Sequence, residues 1–414
     1  MAPIRIGFIG LSASSSWAAT AHLPYLSQTS KYQITALLNS SVASAEAAIK
    51  AHNLPHTTKA YGTPADLAAD PDIDLVVCSV RVDRHFPILR PLLQASKSIK
   101  AIYCEWPLAA NLAEAEELAA LAKSRGIRTL VGLQGRQSPI LSKIKGLLDS
   151  GRIGDVLSVS VVVAAHNFGA EDLAELAYLQ DEKTGGNMVT IHFSHYFDLL
   201  TQALGQLTSF SSILATKRST TALRDKPLSH KSTPSDPVTI LGTIPRTTPD
   251  HLLLQGVLSP SNALLSFHLR GGPELPGTPA SIWSIYGTAG EIRVSGSAFP
   301  SVGGPATEIR VHDHASGEVE QLGGAAEKGD EWDERGLPWP ARNVARLYEV
   351  FAEGAERGED EEGRRRGEHE YADWDEAVVR HRLVDELFWR ERKGNRGLLP
   401  AQYVSDTYGE SLEL

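Results

Sequence analysis

The chain has 414 residues, 42% of them hydrophobic and 22% charged, and a formal net charge of −10. This composition is typical of a globular protein, the length favours two domains, and the negative charge argues against direct binding of nucleic acid, which needs a basic surface. No apolar run approaches the ~18 residues of a transmembrane helix, and the first residues enter a strand without the apolar core of a secretory signal, so we expect a cytoplasmic protein, with the nucleus as an alternative location.

Short apolar strands alternate with helical patterns over residues 1–135. Continuous apolar strands separated by helices are typical of a parallel sheet covered on both faces. The pattern predicts a doubly wound Rossmann domain, an α/β fold whose ligands lie at the carboxyl ends of the strands. The predicted elements are 4–9, 18–28, 33–38, 43–52, 74–80, 86–96, 101–105, 112–125 and 129–133.

The pattern changes in residues 136–414. A helix at 141–150 precedes strands that follow one another with few helices between them, which indicates a large, mainly antiparallel open sheet. We predict an α+β domain for substrate binding and oligomerisation, whose final helices could pack back on the first domain. The predicted strands are 156–165, 209–215, 251–258, 263–269, 281–287 and 291–295, with loops at 217–236 and 358–370 and a last helix at 374–392.

Both cysteines, Cys78 and Cys104, fall in or at the end of apolar runs that predict strands. We therefore expect two buried thiols, with a disulfide as the alternative. Their spacing is not typical of a metal site, and no metal is predicted.

The first turn of the Rossmann pattern is the sharpest local signal. Strand one ends at Gly10, where a glycine lets the backbone approach a pyrophosphate, and a helix near Trp17 offers N–H groups and the positive end of its dipole. The G-x-G-x-x-G pattern is incomplete, because Leu-Ser-Ala-Ser-Ser-Ser follows Gly10. Serine hydroxyls could donate to phosphate oxygens instead, and a polar turn without a ligand is the alternative. The predicted contacts are Gly10, Ser12, Ala13, Ser14, Ser15 and Trp17.

The end of the second strand bears on the choice of cofactor. An NAD site usually offers a carboxylate to the ribose here, but Asn39 and Ser40 occupy the position. Without an acidic group to repel a 2′-phosphate, both NAD and NADP stay open.

Several further motifs occur in a specific order and spacing. They are His22-Leu23-Pro24, Val80 to His85, Glu105-Trp106-Pro107, Gln134-Gly135-Arg136, Gly185-Gly186 through His195 to Asp198, and Tyr286-Gly287 to Glu291. Together they resemble the glucose–fructose oxidoreductase / inositol dehydrogenase (Gfo/Idh/MocA) family, and within it the branch of the galactose-regulon repressors of yeasts. The resemblance implies a bound nicotinamide dinucleotide, a sugar-like or other hydroxylated or carbonyl substrate, and a homo-oligomer, commonly a dimer.

The resemblance also assigns residues to sites. Along the cofactor it places Arg81, His85, Glu105, Trp106 and Gln134. For His85, a histidine that caps the loop at the helix start is the alternative interpretation. Toward the substrate it places Arg136, His166, Asn167 and Tyr178, where a structural ion pair is the alternative for Arg136.

The chain differs from the family at two positions that active members use for catalysis. Trp106 stands where active members have a lysine, and Ile191 where they have an aspartate. An indole cannot act as a general acid or base. The remaining acid–base candidates are His192, His195 and Asp198, three residues apart and so on one face of a helix, and a packed core helix is the alternative.

Three functions follow. The first is an NAD(P)-dependent oxidoreductase. The second is a non-catalytic sensor or transcriptional co-regulator that reports the bound cofactor to a protein partner. The third is a non-redox epimerase or isomerase on the same scaffold.

Overall fold

The computed structural model describes residues 2–14, 16–226, 238–297, 307–322, 331–357, 371–394 and 399–400. The chain divides into two compact units. The first comprises Met1–Ser138, Ser301–Gly303 and Glu327–His381, and the second comprises Pro139–Pro300, Gly304–Ala326 and Arg382–Leu414. Among the described helices, none is long and apolar enough to cross a membrane.

A parallel six-stranded sheet forms the centre of the first unit. Its strands are β1 Ile4–Ile9, β2 Tyr32–Leu38, β3 Lys59–Tyr61, β4 Leu75–Cys78, β5 Ala101–Cys104 and β6 Arg128–Val131. They lie in the order β3-β2-β1-β4-β5-β6. Successive residues of β4 enter opposite cores, since Val76 and Cys78 pack on one face and Leu75 and Val77 on the other. Burial on both faces explains why these strands are apolar runs without alternation.

Helices cover both faces of this sheet. Three of them begin at a side chain that accepts a backbone N–H of the first turn, namely those of Ser41, Thr63 and Asn111, which satisfies a donor that the helix itself leaves open. The helical segments of the unit are a π-helical turn at Ala18–His22, Leu23–Leu26, Val42–Ala51, Pro64–Ala69, Val82–Arg84, His85–Ala95, Leu112–Ser124, Gln134–Gln137, Glu331–Glu334, Trp339–Arg357 and the part of Trp374–Arg392 up to His381.

A nine-stranded sheet is the largest element of the second unit. Its strands are β7 Val156–Ala165, β9 Gln206–Ala215, β12 His251–Ser259, β13 Leu264–Gly271, β14 Ser281–Gly287, β15 Gly290–Gly296, β16 Glu308–Asp313, β17 Val319–Leu322 and β18 Leu399–Pro400. They lie in the order β17-β16-β15-β14-β7-β13-β12-β9-β18. All pairs of this sheet are antiparallel except β7 with β13.

A small second sheet, ordered β11-β10-β8, corrects one prediction. The strands are β8 Glu171–Leu173, β10 Thr220–Arg224 and β11 Ile240–Pro245, so part of the predicted loop 217–236 is a strand. Tertiary pairing on both sides of β10 overrides its Ser/Thr-rich composition. The predicted loop 358–370 lies outside the described residues. The helical segments of this unit are Pro139–Asp149, Ala174–Gln180, Glu182–Thr184, Met188–Phe193, Ser194–Leu204 and the remainder of Trp374–Arg392.

The predicted fold class is confirmed: a parallel Rossmann sheet and a large, mainly antiparallel sheet. Several elements were not predicted from the sequence. They include β3, Pro64–Ala69, β8, Ala174–Gln180, β10, β11, β16, β17, Trp339–Arg357 and β18.

Candidate functional site

A crevice of about 570 Å³ opens at the carboxyl end of the first unit's sheet. Of the predicted cofactor contacts, Gly10, Ser12, Asn39 and Ser40 line it. The structure therefore brings the ends of β1 and β2 together around one cavity. Further lining residues that the sequence analysis missed are Ser44, Gly62, Pro64, Val80, Arg84, Pro87 and Ile88.

Gly10 is required where β1 meets the segment after β4. Its φ is +94°, and a Cβ there would lie 2.4 Å from Cγ1 of Val80 and 2.5 Å from the carbonyl oxygen of Ser79. Both the backbone conformation and the space exclude a side chain. The glycine thus allows the end of β1 to lie close against the segment after β4, at the edge of the crevice where the fold brings the backbone close to a phosphate.

Hydrogen bonds between its own residues hold the serine turn after Gly10. The backbone N–H of Ser14 donates to Oγ of Ser12 at 3.2 Å, and the two hydroxyls lie 2.9 Å apart. The carbonyl oxygen of Ser12 lies 2.7 Å from Nε2 of His52. Ser12 is partly exposed, and Ala13 and Ser14 are exposed. The Ser12 oxygen can keep the bond from the Ser14 N–H while its own O–H donates to a phosphate oxygen.

The remaining predicted contacts of this turn have different surroundings. Ser15 lies outside the described residues. Trp17 stands at the helix start and is 37% exposed. Oγ of Ser16 accepts the N–H of Ala19 at 3.3 Å, so Ser16 satisfies one donor of the first helical turn.

None of the described residues that line the crevice carries a carboxylate. The Asn39 amide donates to the carbonyl oxygen of Leu11 at 2.9 Å and so joins the first two strand ends. Ser40 is exposed, and the Arg84 side chain is 67% exposed, with Nε 3.6 Å from a carboxyl oxygen of Asp83. Arg81 instead makes two contacts of 3.1 Å with Asp83.

The turn after β5 contrasts with the crevice, because its polar groups bond one another. Oε1 of Glu105 lies 2.8 Å from Nε2 of His22 and accepts the Tyr103 hydroxyl at 3.1 Å. Nδ1 of His22 lies 2.9 Å from the Tyr348 hydroxyl. All four residues are buried. One carboxyl oxygen of the predicted cofactor contact Glu105 is thus already bonded to two neighbouring side chains.

Trp106 is also buried, at 6% exposure, and belongs to the core beneath the sheet. Its ring lies 4.8 Å from that of His381, on the helix Trp374–Arg392. Burial, with a smaller effect of His85, lowers the pKa of His381 to about 3. His381 was not predicted from the sequence, since nothing in the local pattern places a residue of the helix Trp374–Arg392 beside Trp106.

Two other predicted cofactor contacts are buried. Both ring nitrogens of His85 face backbone carbonyl oxygens, Nδ1 that of Pro107 at 2.9 Å and Nε2 that of Val80 at 3.1 Å. A cofactor contact would require one of these bonds to break. Gln134 is 2% exposed, and its Oε1 has no hydrogen-bond partner among the described residues.

The predicted acid–base residues lie together in the second unit. Asn187 begins the helical segment with a capping box, after which a π-helical stretch, Met188–Phe193, leads into Ser194–Leu204. His192, His195 and Asp198 are 3%, 9% and 2% exposed. Burial, and then the neighbouring His195, lowers the pKa of His192 to about 3. His192 is therefore neutral near pH 7, and its ring stands perpendicular to that of Phe168 at 5.1 Å.

The predicted substrate residues divide between the units. Nδ1 of His166 lies 3.8 Å from a carboxyl oxygen of Glu274, and the carbonyl oxygen of Asn167 accepts the N–H of Gly272 at 2.9 Å. Tyr178 is partly buried in the same unit. Arg136 belongs to the first unit and makes a 2.5 Å ion pair with Glu376, which is the structural alternative considered for it.

Phe168 is held in a left-handed conformation, with φ 62°. The carboxylate of Asp172 accepts its N–H at 3.1 Å, and the guanidinium of Arg246 donates to its carbonyl oxygen at 2.8 Å. Asp172 and Arg246 are both buried, and burial raises the pKa of the Asp172 carboxyl. This network, which the sequence analysis missed, fixes the ring that packs on His192.

Comparison with known proteins gives matches over both units. The model of the oxidoreductase family with an NAD-binding Rossmann fold matches residues 4–133, and that of the Gal80p C-terminal domain matches residues 139–296. The chain is 33% identical over 304 residues to the galactose/lactose metabolism regulatory protein GAL80 of Saccharomyces cerevisiae, an alignment that covers 72% of this chain and 68% of that protein. It is 34% identical over 301 residues to the dehydrogenase aclE of Aspergillus oryzae, covering 72% and 78%. Among solved structures, a super-repressor mutant of Gal80p from Saccharomyces cerevisiae superposes with a TM-score of 0.84 and 26% identity, over 98% of this chain and 99% of that one.

Proposed function

Because the chain belongs to the oxidoreductase family with an NAD-binding Rossmann fold, we propose that it is a regulatory member, which binds NAD(H) or NADP(H) as a signal rather than as a hydride carrier. A transcription regulator and a dehydrogenase are both among its relatives. The bound dinucleotide would alter the affinity of the chain for a protein partner, a coupling typically worth about 1–3 kcal/mol.

One observation carries this proposal: the crevice at Gly10 is open, whereas the groups at the turn after β5 are buried and bonded internally. Hydride transfer to a carbonyl needs a proton path beside the nicotinamide. Trp106 can donate one N–H and cannot carry a proton, and Glu105 already bonds His22 and Tyr103. The site therefore favours binding of the dinucleotide over hydride transfer from it.

For the cofactor we propose a preference for NADP(H). Among the described residues, the polar side chains that line the crevice are Arg84, Asn39 and three serines, and none is a carboxylate. The guanidinium could pair with a 2′-phosphate. An NAD site would usually place an acidic side chain near Ser40.

Calorimetric titration of NAD⁺, NADH, NADP⁺ and NADPH into the full chain tests the binding step. We expect saturable binding, tighter for the phosphorylated pair. The variant Ser40→Glu, which adds a carboxylate at the crevice wall, should weaken NADPH more than NADH. If all four dinucleotides fail to bind, the regulatory and the enzymatic functions are both wrong.

A second candidate is an NAD(P)-dependent oxidoreductase, favoured by the dehydrogenase relative and by the His192–His195–Asp198 helix. It predicts that absorbance of the reduced nicotinamide changes with a polyol, sugar or carbonyl compound and that His195→Ala abolishes the change. Such turnover would replace the regulatory proposal. A product of unchanged oxidation state would instead indicate the epimerase or isomerase alternative.

For assembly we propose a dimer through the nine-stranded sheet. Val162, Leu253, Leu264 and Tyr286 are 52%, 42%, 63% and 44% exposed, and the strand register places them on one face. Apolar side chains grouped on a sheet face favour a protein contact. Light scattering should give twice the chain mass, and Leu264→Glu should give the monomer. A pull-down with the chain as bait, with and without dinucleotide, then distinguishes self-association from binding of a different protein.

A further inference from the structure

Two strand ends and a helix start bring Cys78, His85 and Cys104 together inside the first unit. Cys78 ends β4 and Cys104 ends β5, and the two are paired in register in a parallel ladder. Both thiols therefore project from the same face of the sheet. The sulfur atoms and a ring nitrogen of His85 all lie within 4.8 Å of one another, and the three residues are buried.

The ring nitrogens of His85 are surrounded by carbonyl oxygens and a thiol. Nε2 faces the carbonyl oxygen of Val80, and Nδ1 faces those of Pro107 and Leu108 at 2.9 and 3.3 Å. A neutral imidazole has one N–H, so when Nε2–H donates to Val80 the lone pair of Nδ1 points toward the two carbonyl oxygens and the sulfur of Cys104. A metal ion at Nδ1 accepts this lone pair and leaves the Nε2–H bond to Val80 in place.

The distances suit a small thiophilic ion. Zinc bonds sulfur at about 2.3 Å and nitrogen at about 2.0 Å, so tetrahedral geometry places two sulfur ligands about 3.8 Å apart and sulfur and nitrogen about 3.5 Å apart. Sγ of Cys104 lies 3.3 Å from Nδ1 of His85. Small side-chain shifts would complete the coordination.

We propose that Cys78, Cys104 and Nδ1 of His85 form a zinc site at the carboxyl end of β4 and β5. Zn²⁺ displaces the two thiol protons, and the two thiolates cancel its charge. The site is then neutral, which a dry core requires, whereas Cu⁺ would leave a net negative charge. The carbonyl oxygen of Pro107 or Leu108 supplies a fourth ligand.

The hydrogen bond made by the other ring nitrogen of His85 also fits a zinc site. A histidine that binds a metal usually donates its other N–H to a carbonyl or carboxylate, and Nε2 of His85 has the carbonyl oxygen of Val80 as its partner. Val80 also lines the crevice at Gly10. Zinc would therefore fix the strand end that forms one wall of the crevice. Sequence spacing did not reveal this site, because the ligands are joined by the sheet and not by a short loop.

The test uses the full chain under reducing conditions, loaded with Co²⁺ in the growth medium and, separately, by refolding in Co²⁺. Cobalt is a spectroscopic substitute for zinc. We expect about one equivalent of metal, together with a thiolate-to-cobalt charge-transfer band in the near ultraviolet. Zinc should displace the cobalt and abolish the band.

Three variants and a control locate the site. Cys78→Ser, Cys104→Ser and His85→Gln should each weaken metal binding at least about tenfold, while His56→Gln, at an exposed histidine, should leave it unchanged. If wild-type protein shows no thiolate band by either loading route, or if the double cysteine variant binds cobalt equally well, the zinc site is wrong. The wild-type result decides even if a variant fails to fold.

Discussion

The crevice at Gly10 and the turn at Glu105 lie at the carboxyl end of the same six-stranded sheet, yet their polar groups differ in state. Around Gly10, hydroxyls and a guanidinium stand at the surface of an open cavity. Around Glu105, carboxylate, imidazole and phenol bond one another and are largely shielded from solvent. The difference shows that, at one end of a sheet, the turns after some strands can line an open cavity while the turn after another strand is buried in the core. Variants of the two regions should therefore affect binding and stability separately.

The strongest test replaces the glycine at the edge of the crevice. Gly10→Ala should lower the free energy of unfolding by about 3 kcal/mol and abolish dinucleotide binding, because its Cβ would overlap Val80 and the Ser79 carbonyl at a positive φ. Urea denaturation and calorimetry measure the two effects. Gly126→Ala is the matched control, with φ +62° and nothing within 4 Å of the new Cβ. It should cost about 1 kcal/mol. Equal effects of the two variants would show that the close approach at Gly10 is unimportant.

The second test removes the centre of the closed network. Glu105→Ala should lower the free energy of unfolding by about 2–3 kcal/mol, because His22 and Tyr103 lose a buried acceptor. Glu117→Ala, which removes an exposed partner of Arg90, should change it by less than about 0.5 kcal/mol. Binding of dinucleotide to the folded variant should persist. A variant as stable as wild type but unable to bind would place Glu105 in the cofactor site after all.

A third test uses acid. His192 and His381 have folded-state pKa values of about 3, below the value near 6.5 of an unfolded histidine. Between these pH values the unfolded chain binds more protons, so stability falls as pH decreases from 7. Each histidine should contribute a loss of about 2 kcal/mol by pH 5.

Denaturation at pH 7 and pH 5 measures this loss. His192→Phe and His381→Phe should each reduce it, whereas the exposed His56→Gln should not. An unchanged pH dependence in both phenylalanine variants would mean that these rings are reached by water in solution.

The smallest expected effect concerns the choice of cofactor. Arg84→Ala should weaken NADPH about tenfold, the equivalent of one charge-assisted contact, and leave NADH almost unchanged. Arg90→Ala, outside the crevice and paired with Glu117, serves as the control in the same titrations. Equal losses for NADPH and NADH would remove the proposed contact with a 2′-phosphate.

Local pattern was enough to predict most of the fold. The apolar run at Leu75–Cys78 and the capped helix at Leu112–Ser124 carry their own signals, apolarity on both faces and an asparagine cap. The helix Trp339–Arg357 also has a signal in its sequence, although it was not predicted. Its core residues recur at helical spacing, namely Val344, Leu347, Tyr348 and Phe351. The sequence of strand β10 has no such local signal, because its pairing with β8 and β11 is set by tertiary structure.

The candidate site was predictable in part for the same reason. Gly10, Ser12, Asn39 and Ser40 follow strand ends of a recognisable fold, so topology alone brings them to one cavity. Whether a side chain near that edge is exposed depends on contacts with distant segments. Glu105 meets His22 from 83 residues away, and Trp106 meets a ring of the last helix. These contacts turn predicted cofactor residues into buried ones, and no spacing rule reports them.

The burial of both thiols has a practical consequence for experiments. The chain has two cysteines, and both are fully inaccessible in the folded unit. A cysteine introduced at Ser40, on the exposed wall of the crevice, would be the single reactive thiol of the native chain. A fluorophore attached there would report occupancy of the cavity in real time without any background substitution.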